Sequence, residues 1–231
     1  MTRPATPDSG LFRVELNGRR EAGPSASRRA VALEWGLGGL LAAPFAVLPH
    51  ELGHYVVLLL LGVPGLVLHY STVTWDLQEF WEAIQRGDLD GAAAVAPIWG
   101  VALSDAVGPA VTYAIVAACC YGCSRWRAHP SLVAIAFLAQ ARIAVGVIHL
   151  AREALDMYRP TNYDELRFSI LTGVPVEVFV AFGLVVLLVS TIWLARYFPP
   201  GSRIVAVASM TAGMGASLFL YARVLGPWLL P

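Results

Sequence analysis

The sequence predicts an all-α membrane protein with about five transmembrane helices and a short β-strand or hairpin after the first. Three observations lead there. Hydrophobic residues make up 57% of the 231, and the mean hydropathy is +0.63. Charged residues are only 14%, against about 25% in an ordinary soluble domain. The apolar residues gather into runs of about twenty or more, the length a helix needs to cross a bilayer. The formal net charge is zero, which gives nucleic acid no electrostatic footing, and no such partner is expected.

The first thirty residues read as a flexible tail. Six Arg (Arg3, Arg13, Arg19, Arg20, Arg28, Arg29) stand against Asp8, Glu15 and Glu21, among frequent Pro, Ser and Gly. The tail has no apolar stretch of the kind that makes a secretory signal. Its Arg excess beside the first span predicts a cytoplasmic N-terminus, in a bacterial cell membrane. Residues 31–231 are expected to form one polytopic membrane domain.

The first span is expected from about Trp35 to Val63, with kinks at Pro44 and Pro49, each of which leaves a carbonyl without its helical donor. Gly62, Pro64 and Gly65 end it. Leu66 to Trp75 is rich in β-branched and aromatic residues and reads as a strand or hairpin. Asp76 to Gly91, with Glu79, Glu82, Asp88 and Asp90, reads as a short amphipathic helix on the outer face. From Gly91 to about Leu103, Pro97 and Gly100 suggest an interfacial or re-entrant piece, with a span from Asp105 to Tyr121 after it. Cys119, Cys120 and Cys123 read as packing residues at the end of that span. A turn carrying Arg125 and Arg127 follows. Ser131 to Leu150 is the next span, and its Arg142 is expected to pair with Asp105. Ala151 to Gly173 is polar. Val174 to Tyr197 and Ile204 to Leu225 are the last two spans. The final one carries small residues suited to close packing, such as Ala206 and Gly213.

One stretch inside the first span carries chemistry. His50-Glu51-Leu52-Gly53-His54 reads H-E-x-x-H. On a helix His50 and His54 fall one turn apart on one face, where two neutral imidazoles reach one tetrahedral zinc ion. Glu51 is placed beside them to take a proton from water. Three polar side chains at mid-span depth are costly and point to function.

A catalytic zinc keeps three protein ligands and one open position. Candidates for the third are His69, Asp105, His149, Glu153, Asp156, Asp164 and Glu165. Asp164 is favoured, because it follows Pro160 in a compact polar turn that opens a new helix; Glu165 is next. The competing reading is helix capping, with Thr161 or Asn162 as the cap and the acid three residues on.

With His50-Glu51-Leu52-Gly53-His54 in a span, Gly108-Pro109-Ala110-Val111-Thr112 in another, and an Asn/Pro-containing turn ending in Asp164, the chain resembles the site-2 protease family of intramembrane zinc metalloproteases. The resemblance covers roughly Leu37 to Val180. Thr112 stands where the family usually carries Asn, and Glu165 follows Asp164 where the family has Gly. The resemblance implies that Asp164 is the third zinc ligand.

The expected activity is that of a zinc metalloendopeptidase, hydrolysing a peptide bond of a membrane protein substrate within or near the lipid bilayer. His50, His54 and Asp164 would hold Zn2+, and Glu51 would be the catalytic base. Asp105, Thr112 and Arg142 are expected to line a water-filled cavity. Leu66 to Trp75 reads first as a short interfacial strand, and the alternative is an edge that holds an unwound substrate segment. The alternative from another class is a non-proteolytic metal-binding membrane protein, a transporter or a scaffold.

Overall fold

A computed structural model describes residues 27–75, 77–126, 129–155 and 163–230. Most of the expected tail, together with Asp76, Arg127, Asp156, Pro160, Thr161 and Asn162, lies outside the described residues. The protein is an all-α membrane protein. Among the described residues, five helical segments are long and apolar enough to cross a membrane: Arg28–Leu60, Ile98–Arg125, Pro130–His149, Val176–Ala195 and Pro200–Leu229.

The first segment begins at Arg28, inside the stretch expected to be tail. Ser27 caps it by accepting from the Ala30 amide. It divides into α1 (Arg28–Leu40) and α2 (Ala42–Leu60) at Leu41. The division has a covalent cause. Pro44 has no N–H to offer the Leu40 carbonyl four residues back, and its ring crowds that carbonyl. Pro49, by contrast, is carried inside α2 without ending it.

The hairpin forms as expected. β1 (Val67–Leu68) pairs antiparallel with β2 (Val73–Thr74), in the register Val67 to Thr74 and Leu68 to Val73. The turn between them is closed by the His69 amide donating to the Thr72 carbonyl. Next come α3 (Leu77–Gln85) and α4 (Leu89–Val95). α3 buries Phe80 and Ala83 and exposes Glu79 and Glu82, the amphipathic pattern read from the sequence. Asp88 caps α4 through the Gly91 amide.

The break expected between about Leu103 and Asp105 falls earlier. Ala96 and Pro97 are extended, and a single 28-residue helix, α5 (Ile98–Arg125), runs on from there. Proline forces the residue before it out of the helical region, which places the boundary at Ala96. Gly100 and Pro109 are both absorbed within α5. α6 (Pro130–Ala154) opens on proline, where the missing N–H costs nothing. α7 (Asp164–Thr172), α8 (Val176–Ala195) and α9 (Arg203–Leu220) follow. A π turn at Tyr221–Leu225 and the short α10 (Gly226–Leu229) close the described chain.

α1 packs along α9 through glycines at the crossing. A Cβ on Gly39 would meet the Met214 amide nitrogen at 2.9 Å, and one on Gly213 would run into the Gly36 carbonyl. Of the small residues expected to allow close packing, Gly213 does so at this crossing and Ala206 is buried, while Ala212 and Gly215 stay exposed. α2, α5 and α6 pack around the centre with α7 against α5. α8 turns Leu184, Val185, Leu188, Val189 and Ile192 outward, an apolar face suited to lipid and not to water.

The two ends of the bundle differ. At one end Val31, Cys123, Val133, Leu194 and Ala206 form a core, with Trp35 stacked on Phe198 at 4.5 Å. At the other, Leu58, Val63, Phe80, Ala92 and Val101 form a second core beneath α3 and α4. The three cysteines are free thiols in or against the first core, in keeping with a packing role.

Candidate metal centre

α2 carries His50, Glu51 and His54 on its inward face, and all three are buried. The one-turn spacing brings both imidazoles to the same side, with ring centroids 4.8 Å apart. α7 begins at Asp164, whose carboxylate reaches back to them. The N-cap position of α7 is Tyr163, which makes no side-chain capping bond. Asp164 therefore faces the imidazoles, and the cap residues proposed from sequence, Thr161 and Asn162, lie outside the described residues. His50, His54 and Asp164 form a group that could hold a metal ion, with one ligand atom from each and all atoms within 4.8 Å of one another.

The donor set fits a tetrahedral ion. His50 Nε2 lies 3.0 Å from His54 Nε2 and 3.1 Å from Asp164 Oδ2. His54 Nε2 lies 3.3 Å from the same oxygen. Ligands about 2.0–2.1 Å from a zinc ion at tetrahedral angles are separated by roughly 3.3 Å. The tautomers follow from the outer partners. Thr112 donates its hydroxyl to the Gly108 carbonyl, so its oxygen accepts from His50 Nδ1 at 2.9 Å. Ser104 donates to the His54 carbonyl and faces His54 Nδ1 at 3.5 Å. Both Nε2 lone pairs then point at each other and at a carboxylate oxygen. Three converging lone pairs repel unless a cation sits among them.

Gly108 explains why α5 can approach so closely. A Cβ there would overlap His54 Nε2 and come within 2.8 Å of His50 Cε1. Ser104, Gly108 and Thr112 recur every four residues, a stripe of small and polar positions facing α2. Sequence reasoning picked out Gly108 and Thr112 but not Ser104, although the spacing was there to be read.

The ion pairs differ from the expected one. Arg142 does not pair with Asp105. Its Nη1 lies 3.4 Å from Glu51 Oε1 and its Nη2 2.7 Å from Asp164 Oδ2. Asp105 instead pairs closely with Arg167 of α7, which also stands 3.4 Å from Asp164 Oδ1. Arg167 escaped the sequence reading because it lies in a polar segment outside the spans. Burial alone pushes the Asp164 carboxyl up, but its contacts with His50, His54 and Arg142 hold it well below the ordinary carboxylate range. Burial pushes the Glu165 carboxyl up.

The other ligand candidates lie elsewhere. His69 contacts Thr74 within the hairpin. His149 stacks on Tyr163 at 5.0 Å, bracing the entry to α7. Glu165 is not one of the three converging donors; it lines a small cavity with His50, Pro109, Tyr113 and Arg142. Asp156 and the side chain of Glu153 lie outside the described residues.

A polar cavity of about 200 Å³ opens beside the centre, lined by Glu51, His54, Ser71, Thr72, Ser104, Arg142, Asp164 and Arg167 among others. Of the three residues expected to line it, Arg142 does. Thr112 faces His50, and Asp105 borders a separate apolar cavity with Phe168, Phe179 and Phe182. The hairpin overhangs the polar cavity. It is held by Tyr221, whose hydroxyl donates to the Tyr70 carbonyl at 2.6 Å. Comparison with protein-family models, with curated proteins and with solved structures finds no match for this chain.

Proposed function

We propose that this chain is an intramembrane zinc metalloendopeptidase that hydrolyses a peptide bond of a membrane protein substrate within or near the bilayer. One observation supports the reading most. Two imidazole nitrogens and a carboxylate oxygen converge inside a bundle of apolar helices, with Glu51 next to them on a polar cavity. The order of its motifs, which resembles the site-2 protease family, supports the same reading.

His50, His54 and Asp164 would hold the ion. When bound, zinc supplies Lewis acidity and brings the pKa of a coordinated water towards about 7. Thr112 and Ser104 fix the imidazole tautomers, so that both Nε2 atoms remain ligands. Glu51, on the cavity wall beside His54, accepts the water proton and returns it to the leaving amine. The cavity admits water to a depth that lipid would otherwise keep dry. A transmembrane substrate must unwind to present its carbonyl, and the free edge of the hairpin offers backbone partners for the unwound piece.

A non-catalytic metal-binding protein is the second reading. It is favoured by the Arg142 contact to Glu51, which a purely structural ion pair would also make. Glu51→Gln separates the two. A peptidase loses cleavage of a membrane substrate by about two to four orders of magnitude and keeps about one zinc per chain; a binding protein cleaves nothing in either form and keeps its metal. Elemental analysis of wild type, His54→Ala and Asp164→Ala tests the centre itself, with zinc expected in the first and absent from the other two. No zinc in wild type after zinc is supplied would overturn the reading.

A further inference from the structure

The placement of Arg142 goes beyond a structural ion pair. Its two terminal nitrogens reach different functional groups: Nη1 the carboxylate of Glu51, and Nη2 the ligand oxygen of Asp164. The guanidinium thus spans the gap between the base and the metal ligands, on their open side. Its partners are covered, with side-chain exposures of 8% and 9%, while Arg142 itself is 44% exposed. Arg142 lines the polar cavity, whose wall it shares with Ser71 and Thr72 of the hairpin turn. A guanidinium has five N–H donors in a planar fork, and two terminal contacts leave donors free to face a ligand.

Charge points the same way. Glu51, Asp105 and Asp164 are three carboxylates against the two guanidiniums of Arg142 and Arg167. A divalent ion leaves the cluster with one positive charge, which an anionic oxygen would neutralise.

We infer that Arg142, with the cavity wall beside it, forms an oxyanion-binding site next to the metal centre. The inference rests on the metallopeptidase reading and names what the site takes: a negatively charged oxygen of the substrate. One source is the scissile carbonyl. As water adds to its carbon, the C–O bond forms, the carbonyl π pair moves onto oxygen, and the water proton passes to Glu51; the oxygen that gains the pair faces Arg142. The other source is a permanent carboxylate at a substrate terminus or side chain.

The test uses the detergent-purified full chain loaded with Co2+, whose visible absorption reports anions at the centre. Methylphosphonate, a tetrahedral anion, and acetate, a planar one, are titrated separately. Wild type is expected to bind methylphosphonate, and Arg142→Ala to weaken it about 10- to 100-fold with Co2+ content unchanged, the range for a charge-assisted hydrogen bond. Arg86→Ala removes the same charge from an exposed pair with Glu82 and should leave the affinity unaltered. Methylphosphonate binding at least tenfold tighter than acetate identifies the reacting carbonyl as the source. Acetate binding as tight or tighter identifies a permanent carboxylate. If Arg142→Ala loses Co2+, Arg142→Gln carries the test, since it keeps most of the bulk and its amide donors. Co2+ bound with wild-type methylphosphonate affinity in Arg142→Ala or Arg142→Gln overturns this assignment alone. Co2+ lost from both variants also overturns it, in favour of a ligand-holding role. Failure of wild type to bind Co2+ removes the metallopeptidase reading and this assignment together.

Discussion

At the residue scale, the centre depends on what α5 does not have. Gly108 leaves room for two imidazoles where any side chain would collide with His54. Gly108→Ala is therefore expected to separate α5 from α2 or turn the His54 ring, at a cost of about 1–3 kcal/mol. Zinc content should fall well below one per chain while far-ultraviolet circular dichroism stays helical. Full zinc content in Gly108→Ala would refute the steric account. Thr112 acts one step further out. Thr112→Val keeps the shape but removes the acceptor for His50 Nδ1, and zinc affinity measured against a competing chelator should drop about 10- to 100-fold. Thr112→Ser should stay close to wild type. The histidines and Glu51 were legible because their spacing lies within a single helix turn. Asp164 was legible only as one of several acids. It is separated from His54 by more than a hundred residues, and nothing local told it apart from Glu165. The exchange of partners between Arg142 and Arg167 was not legible at all, because the packing of α5, α6 and α7 decides it.

At the element scale, the prolines and the hairpin show what a local signal can settle. Pro97 acts through its own ring on the residue before it, yet Gly100 looked an equally good place to break the chain. In the folded protein Gly100 is a packing position: a Cβ there would run into the Leu61 side chain. Glycine in an apolar run thus has two meanings that sequence alone does not separate. The hairpin was legible because β-branched residues cluster between turn formers. Its position over the cavity was not, since that depends on Tyr70 meeting Tyr221 at the far end of the chain, with rings 5.9 Å apart. If the hairpin edge holds an unwound substrate, Val73→Pro, which removes one backbone donor and disturbs the pairing with Leu68, should lower cleavage of a membrane substrate at least tenfold. Zinc content should not change, because the hairpin contributes no ligand. Undiminished cleavage would count against an edge-pairing role.

At the scale of the whole molecule, charge and apolar surface divide the protein by height. Arg28, Arg29, Arg125, Arg196 and Arg203 flank the helix ends gathered around the Trp35–Phe198 core, while Glu79, Glu82, Asp88 and Asp90 sit on α3 and α4 over the opposite core. The positive-inside tendency predicts that the Arg-rich end lies on the cytoplasmic side. A reporter fused at the N-terminus should then be active only as a cytoplasmic form, and one inserted at Gly87 only as an external form. The reverse pattern would invert the proposed orientation. Between the two ends, the centre ties together α2 and α7, which come from widely separated parts of the chain. Binding to the folded state alone stabilises it by mass action, about 2.7 kcal/mol when free zinc is at a hundred times its dissociation constant. For a chain of this size that corresponds to roughly 5–10 °C in the unfolding midpoint. Chelation should lower the midpoint of wild type by that amount and leave His54→Ala unmoved, because the variant has no site to empty. Equal midpoints for wild type with and without chelator would mean that the three converging donors are not joined by a metal, and another cation, such as a protonated imidazole, would have to account for their approach.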